Sequence, residues 1–377
     1  MPEQQHVHLI GVCGTAMASL AGMLKQRGFR VTGSDAAAYP PMSDFLASLS
    51  VPIAEPYAEA NLKPRPDLVV VGNAISRGNP ELEHVLDERI PMRSLPQVLQ
   101  EYFLRGREPI VVAGTHGKTT TTSMLAWIFE TAGLKPSFLI GGIAENFNSS
   151  FAVRQGKHFI IEGDEYDTAF FDKGPKFLHY MPDSAILTSV EFDHADIYPD
   201  LEAVKTAFKR LVNLVPRRGL LLAWDGSPNV EECLARAFCR VERYGSSLRA
   251  DWQIREVRFE LGRTTWAVFH GGQRWADFEF SLAGDYNVLN ATAAAAMAFG
   301  WHRSRNYLLG ARDFQEREAA PGGEGRGERH HHHRRFRAPP HGHCRHAARA
   351  AHRLSRPAPV GAVRAALQHP APQNLRG

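Results

Sequence analysis

Short apolar runs alternate with helix-like and glycine-punctuated stretches over the first three hundred positions. His6-Val7-His8-Leu9-Ile10 is strand-like and runs into Gly11-Val12-Cys13-Gly14. An Ala/Met/Leu-rich helix is expected from there to Gly28, then a strand Phe29–Thr32 that stops at Gly33-Ser34-Asp35. Asp67–Val71 is another continuous apolar strand, ending at Gly72-Asn73. Continuous apolar strands separated by helices predict a parallel sheet covered on both faces. Ligands of such sheets lie beyond the carboxyl ends of the strands, where Gly11, Gly14, Asp35 and Asn73 fall.

A glycine-rich turn after a first strand lets backbone amides approach a phosphate at a helix N-terminus. Asp35, about 20 residues on, is placed to accept hydrogen bonds from a ribose or base. The spacing is not the dinucleotide G-x-G-x-x-G, because Cys13 and Gly14 follow Gly11-Val12. A nucleotide-type ligand and a purely structural tight turn both fit this stretch.

Arg105–Pro109 reads as a linker into a second α/β unit. There Ile110–Ala113 is a strand, Gly114-Thr115-His116-Gly117-Lys118-Thr119 a loop, and Thr120–Glu130 a helix. Strand, glycine loop and helix in that order form a phosphate-binding loop. Loop amides would hold the phosphates, Lys118 would reach the terminal ones, and Thr119 would ligate Mg²⁺. The longer G-x-x-x-x-G-K-[ST] pattern is broken, since Val112 stands where it wants glycine. Strand Phe159–Ile161 ends in Glu162-Gly163-Asp164-Glu165-Tyr166-Asp167, and strand Leu187–Val190 in Glu191-Phe192-Asp193-His194-Ala195-Asp196. Carboxylates at strand ends beside a phosphate loop are usual Mg²⁺ ligands; solvated acidic loops and a structural His194 are the plainer alternatives.

Composition changes this picture at one end only. The chain has 377 residues, 44% hydrophobic and 22% charged, ordinary values for a globular protein of two or three domains. No apolar run approaches 18 residues, so no membrane span is expected. The N-terminus lacks the basic and apolar regions of a secretory signal. Four scattered cysteines make neither a disulfide framework nor a zinc site, and a cytoplasmic location is expected. The net charge of +4 hides an asymmetry: residues 301–377 carry 15 Arg, no Lys, five acidic residues and ten of the 18 His.

The three motifs, Gly114–Thr121, Glu162–Asp167 and Glu191–Asp196, together with Gly284-Asp285-Tyr286-Asn287-Val288-Leu289-Asn290-Ala291, resemble the Mur ligase family of ATP-dependent, amide-forming enzymes. The resemblance covers residues 1 to about 300. It implies an α/β fold: a Rossmann-like domain at 1–107 for UDP-N-acetylmuramate, a P-loop central domain at 108–300 for ATP, and a third, C-terminal α/β domain for the incoming amine. By the same resemblance, Gly11, Gly14, Thr15, Asp35, Asn73 and Ser76 would contact the UDP-sugar. Gly114, Thr115, His116, Gly117, Lys118, Thr119, Thr120, Asn287 and Asn290 would bind ATP. Thr119, Glu162 and His194 would hold Mg²⁺, with Lys118 and His194 the catalytic pair. Finer features, among them Gly72–Pro80 and Asp164–Asp167 leading into Phe170-Phe171-Asp172-Lys173, resemble the recycling branch of the family. That branch joins UDP-N-acetylmuramate to the tripeptide L-alanyl-γ-D-glutamyl-meso-diaminopimelate. A sister branch adds a single L-alanine and typically has serine where Tyr166 stands. A non-catalytic UDP-sugar/ATP-binding remnant is the alternative from another class.

The family's third domain is not visible after Gly300. Read one base later, codons for His333-Arg334-Arg335-Phe336 permit Ile-Asp-Asp-Phe, and continuing to Arg349 permits DDFAHHPTAIAATLR, which contains the family's C-terminal signature. Phe314–Arg329 and Gly361–Gln373 permit family-like text in the same shifted frame. A one-base frameshift near Gly300-Trp301 is therefore expected, in preference to a basic nucleic-acid-binding arm or a His-rich metal tract. No nucleic-acid partner is expected, and residues 301–377 as written lack the aliphatic periodicity to fold.

Overall fold

The computed structural model describes residues 4–193, 197–260, 263–281, 284–306 and 335–337. The first sheet is built from β1 (His6–Ile10), α1 (Thr15–Gln26), β2 (Arg30–Ser34), α2 (Met42–Ser48), β3 (Ile53–Ala54), β4 (Leu68–Val71), α3 (Pro80–Asp87), β5 (Met92–Ser94) and α4 (Leu95–Leu99). Its strands are parallel in the order β3-β2-β1-β4-β5. β1 and β4 are buried at every position, as a strand covered on both faces must be.

The second sheet uses β6 (Glu108–Ala113), α5 (Lys118–Thr131), β7 (Ser137–Ala144), β8 (Ser149–Ala152) and β9 (His158–Gly163). A hairpin, β10 (Asp167–Ala169) and β11 (Asp172–Pro175), precedes β12 (Ser184–Leu187) and α6 (Leu201–Leu214). Then follow β13 (Leu220–Trp224), α7 (Pro228–Leu234), β14 (Arg240–Gly245), β15 (Trp252–Glu260), β16 (Arg263–His270), β17 (Gln273–Phe280) and α8 (Asp285–Asn306). The strands run β17-β16-β15-β14-β13-β12-β6-β9-β7-β8. They are parallel from β15 to β7, with β8 and β16–β17 antiparallel extensions. α6 shows why the helices dock. The Asp200 carboxylate caps it by accepting from the Ala203 amide at 2.8 Å. Its Val204, Ala207, Phe208, Leu211 and Val212 form one buried stripe, each large side chain contributing about 1.5–3 kcal/mol.

The two sheets share one apolar cluster, in which Leu20 and Leu24 of α1 and Phe103 lie with Phe151 and Phe177. Gly22 permits the approach: a Cβ there would lie 2.5 Å from Cζ of Phe151. The Ser19 and Ser150 hydroxyls meet beside it at 2.8 Å.

Several sequence boundaries shift. α5 begins at Lys118, not Thr120, because Gly117 adopts a left-handed conformation and starts the helix. β9 extends to Gly163, so Glu162 is a strand residue. The strand expected at Leu187–Val190 ends at Leu187, since Thr188 and Ser189 turn to bond the phosphate-type loop. The expected linker Arg105–Pro109 is shorter, because Glu108 and Pro109 already pair with β9. The change in composition near residue 300 falls within α8, which runs to Asn306; the expectations for the remaining tail lie outside the described residues. Cys13, Cys233 and Cys239 are free thiols. Among the described residues, no helix is long and apolar enough to cross a membrane.

Candidate active site

The loop between β6 and α5 is shaped by two glycines at positive φ. Gly114 has φ +137°, and a Cβ there would lie 2.7 Å from the Ser189 amide nitrogen. Gly117 has φ +78°, with its would-be Cβ 2.5 Å from Oδ1 of Asn290. Only glycine takes such angles without steric cost. The segment after β12, neighbour of β6, pins the loop. The Thr115 amide donates to the Ser189 carbonyl at 2.9 Å, the His116 amide to Ser189 Oγ at 3.0 Å, and Thr188 Oγ1 to the His116 carbonyl at 2.6 Å. The Glu191 amide donates to Thr115 Oγ1 at 2.9 Å.

Lys118 folds back over this loop. Its Nζ donates to the carbonyls of Gly114 at 2.8 Å and Thr115 at 3.3 Å, and to Glu165 Oε1 at 3.0 Å. Burial pushes the Glu165 carboxyl up, and the neighbouring Lys118 charge only partly opposes this. The Tyr198 hydroxyl holds the Glu165 carbonyl at 2.7 Å, and Lys176 Nζ binds Asp164 at 2.7 Å, so the acidic segment is fixed at both ends.

Thr119 Oγ1 donates to Glu162 Oε1 at 2.9 Å, and the other carboxylate oxygen accepts from the Gly141 amide at 2.8 Å. A hydroxyl and a carboxylate beside a phosphate-type loop suit Mg²⁺, which takes one or two protein oxygens plus substrate and water. Among the described residues no three His, Cys, Asp or Glu side chains cluster to hold a metal. His194, the other expected ligand, lies outside the described residues.

A cavity of about 290 Å³ opens between the loop and α8, lined by His116, Gly117, Thr120, Asn287 and Asn290. Trp224 and Tyr244, at the carboxyl ends of β13 and β14, also line it, with the exposed Tyr286. Reading the sequence motif by motif missed Trp224 and Tyr244. For Trp224 there was a partial signal, an aromatic ending the apolar strand Leu220–Trp224, whereas Tyr244 lies in a strand rich in charged residues, Arg240–Gly245, that marks nothing.

In the first sheet, Gly11, Gly14, Thr15 and Asp35 come together. The Gly11 and Val12 amides donate to the Ser34 carbonyl at 2.9 and 3.0 Å, a turn allowed by φ +81° at Gly11. Asp35 clasps it, accepting from the Cys13 amide at 2.8 Å, the Ala36 amide at 2.8 Å and the Tyr57 hydroxyl at 3.3 Å. Burial and the Asp35 charge push the Cys13 thiol up to about 11. Gly14 opens α1 without a side-chain cap. Asn73 and Ser76 are exposed on the loop after β4, the strand on the other side of β1. Phe170, at the tip of the β10–β11 hairpin, packs with Tyr57 against the cluster of Ile10 and Ile75. One hairpin thus runs from the Lys118 region to the first sheet.

A two-sheet protein with a glycine turn on one sheet and a phosphate loop on the other matches two family models. Residues 6–107 match the Mur ligase family catalytic domain and 112–298 the Mur ligase middle domain. The chain belongs to the Mur ligase family. Among individual relatives, it is 44% identical over 294 residues to the UDP-N-acetylmuramate–L-alanyl-γ-D-glutamyl-meso-2,6-diaminoheptandioate ligase of Haemophilus influenzae, covering 78% of this chain and 64% of that one. The crystal structure of the corresponding ligase from Neisseria meningitides superposes with a TM-score of 0.74 at 41% identity, covering 78% of this chain and 93% of that one. The UDP-N-acetylmuramate–L-alanine ligase of Syntrophotalea carbinolica is 35% identical over 292 residues, covering 78% of this chain and 62% of that one. The chain thus spans less than two thirds of the length of these curated relatives.

Proposed function

We propose that this chain carries the two nucleotide sites of a ligase joining UDP-N-acetylmuramate to L-alanyl-γ-D-glutamyl-meso-diaminopimelate. The supporting observation is the convergence of Lys118, Thr119 and Glu162 at the loop, linked by the β10–β11 hairpin to the Gly11–Asp35 turn. The higher identity to the tripeptide ligase than to the L-alanine ligase, 44% against 35%, favours the peptide acceptor.

In this reading residues 1–107 bind UDP-N-acetylmuramate through Gly11, Gly14, Thr15, Asp35, Asn73 and Ser76. Residues 108–300 bind ATP through Gly114–Thr120, with Asn287 and Asn290 lining the base cavity. The muramate carboxylate attacks the γ-phosphorus and ADP leaves; an amine then attacks the acyl carbon and phosphate leaves. Such chemistry needs positioning and charge neutralisation more than a nucleophilic side chain. Lys118 exchanges the Gly114 and Thr115 carbonyls for phosphate oxygens and carries its charge to the transferring group. Thr119 and Glu162 would hold one Mg²⁺, which supplies further neutralisation when bound; His194 is the proposed ligand of a second Mg²⁺. Residues 301–377 are proposed to be out of frame, in place of an amine-binding domain.

The test is phosphate release with mass spectrometry of the UDP-linked product, on the 377-residue chain and on a form with the frame restored after Gly300. Restored protein is expected to ligate the tripeptide in preference to L-alanine. The 377-residue chain should form little amide, since losing the held amine forfeits roughly 7–11 kcal/mol of proximity. Preference for L-alanine would move the assignment to the sister enzyme. No UDP-linked product from the restored form would overturn it.

A further inference from the structure

Glu81, the second residue of α3, is fully buried, as is His8 of β1 beside it. A carboxylate in that position is costly unless hydrogen bonds replace its water. Four do, and they come from three separate segments. Oε2 accepts from the Ser34 hydroxyl at the end of β2 and lies 3.3 Å from Nε2 of His8. Oε1 accepts from Nδ2 of Asn61 at 2.6 Å and from the Ala58 amide at 3.2 Å. Burial raises the Glu81 carboxyl, but the His8, Ser34 and Asn61 bonds outweigh it and hold it below the ordinary carboxylate range.

The bonded residues are those that shape the candidate UDP-sugar site. The Ser34 carbonyl holds the Gly11 and Val12 amides, and Asp35 follows it in the chain. Ala58 follows Tyr57, whose hydroxyl meets Asp35. α3 itself is the helix into which the Asn73–Ser76 loop leads, its N-terminus capped by Asn79. From these contacts we infer that Glu81 is a positioning residue for the UDP-sugar site, bracing the Gly11–Asp35 turn through Ser34 and the Tyr57 segment through Ala58 and Asn61. It touches no substrate, and the inference rests on the proposal that the first sheet binds UDP-N-acetylmuramate.

Calorimetry on the full 377-residue chain tests this, with UDP-N-acetylmuramate and Mg·ATP titrated separately into wild type, Glu81→Gln, Ser34→Ala and the double variant. The expected result is a loss of UDP-sugar affinity of roughly tenfold or more in Glu81→Gln, the size of one charge-assisted hydrogen bond. Ser34→Ala should lose affinity in the same direction, and ATP affinity should stay within about twofold of wild type in both. The double variant should be little worse than Glu81→Gln, because both substitutions break one linkage. Ser34→Ala decides the matter if Glu81→Gln does not fold. Wild-type UDP-sugar affinity in the folded variants would overturn the bracing role. So would additive losses in the double variant, or parallel loss of ATP binding in Ser34→Ala. Failure of wild type to bind the UDP-sugar would instead overturn the underlying site assignment.

Discussion

Lys118 pairs with Glu165 and is the proposed cation for ATP, two roles that one pair of substitutions can separate. Without nucleotide it neutralises Glu165, the two side chains being 15% and 4% exposed and 3.0 Å apart. Truncation in Lys118→Ala removes the counter-charge from a buried carboxylate, a change that can cost about 3–5 kcal/mol. Glu165 can limit that cost by taking up a proton. From an ordinary carboxylate pKa, protonation at pH 7 costs about 3.5 kcal/mol at 1.4 kcal/mol per unit, and burial has already raised this group in the wild type. The expected loss is therefore about 2–3 kcal/mol at pH 7, or roughly 5–10 °C in Tm. Its sign with pH follows from the raised folded pKa. The penalty vanishes below the unfolded value and grows as pH rises from about 4.5 towards the folded value. Lys118→Ala should thus lose more Tm at pH 8 than at pH 5.5, relative to wild type. Adding Glu165→Gln should recover most of the stability and flatten the difference. Mg·ATP binding, followed by calorimetry, should remain lost in both variants. An equal Tm loss at both pH values, or ATP binding at wild-type strength in Lys118→Ala, would refute the reasoning.

Other expectations are shorter to state. Gly117→Ala places a Cβ against Asn290 and forces a left-handed alanine at about 1–2 kcal/mol; calorimetry should show weaker ATP binding and unchanged UDP-sugar binding. Thr119→Val removes the hydroxyl that meets Glu162, so ATP titrations at graded Mg²⁺ should need more metal for half-saturation. Burial lowers His158 to about 4, so the unfolded chain binds the extra proton as pH falls below about 6.5 and stability declines towards pH 4. That term is about 2 kcal/mol at pH 5, and His158→Gln should show a shallower fall in Tm between pH 7 and 5.

The parts legible in the sequence were those whose partners lie close along the chain. Gly114–Thr119 is one stretch between a strand and a helix, and its geometry is local. Glu162 could be proposed as a Mg²⁺ ligand because it ends a strand, although only the fold brings Thr119 Oγ1 to it across 43 positions. Thr188 and Ser189 read as a continuation of the apolar strand before them; instead their buried side chains bond the His116 amide and carbonyl of the loop. Glu81, one position past Gly72–Pro80, carried no signal in the sequence. Its donors come from positions 8, 34, 58 and 61, and no local pattern records such a convergence. Trp224 and Tyr244 became site residues only when β13 and β14 fell beside β12 in the sheet order.

That each sheet holds its own nucleotide is tested most directly by competition calorimetry on the 377-residue chain. UDP-N-acetylmuramate and Mg·ATP are each titrated with the other already saturating, and NAD is offered as a competitor. The expected result is that both still bind, that NAD displaces neither, and that Lys118→Ala abolishes the ATP heat while sparing that of the UDP-sugar. Displacement of one nucleotide by the other, or of UDP-N-acetylmuramate by NAD, would contradict a muramyl site on the first sheet and an ATP site on the second.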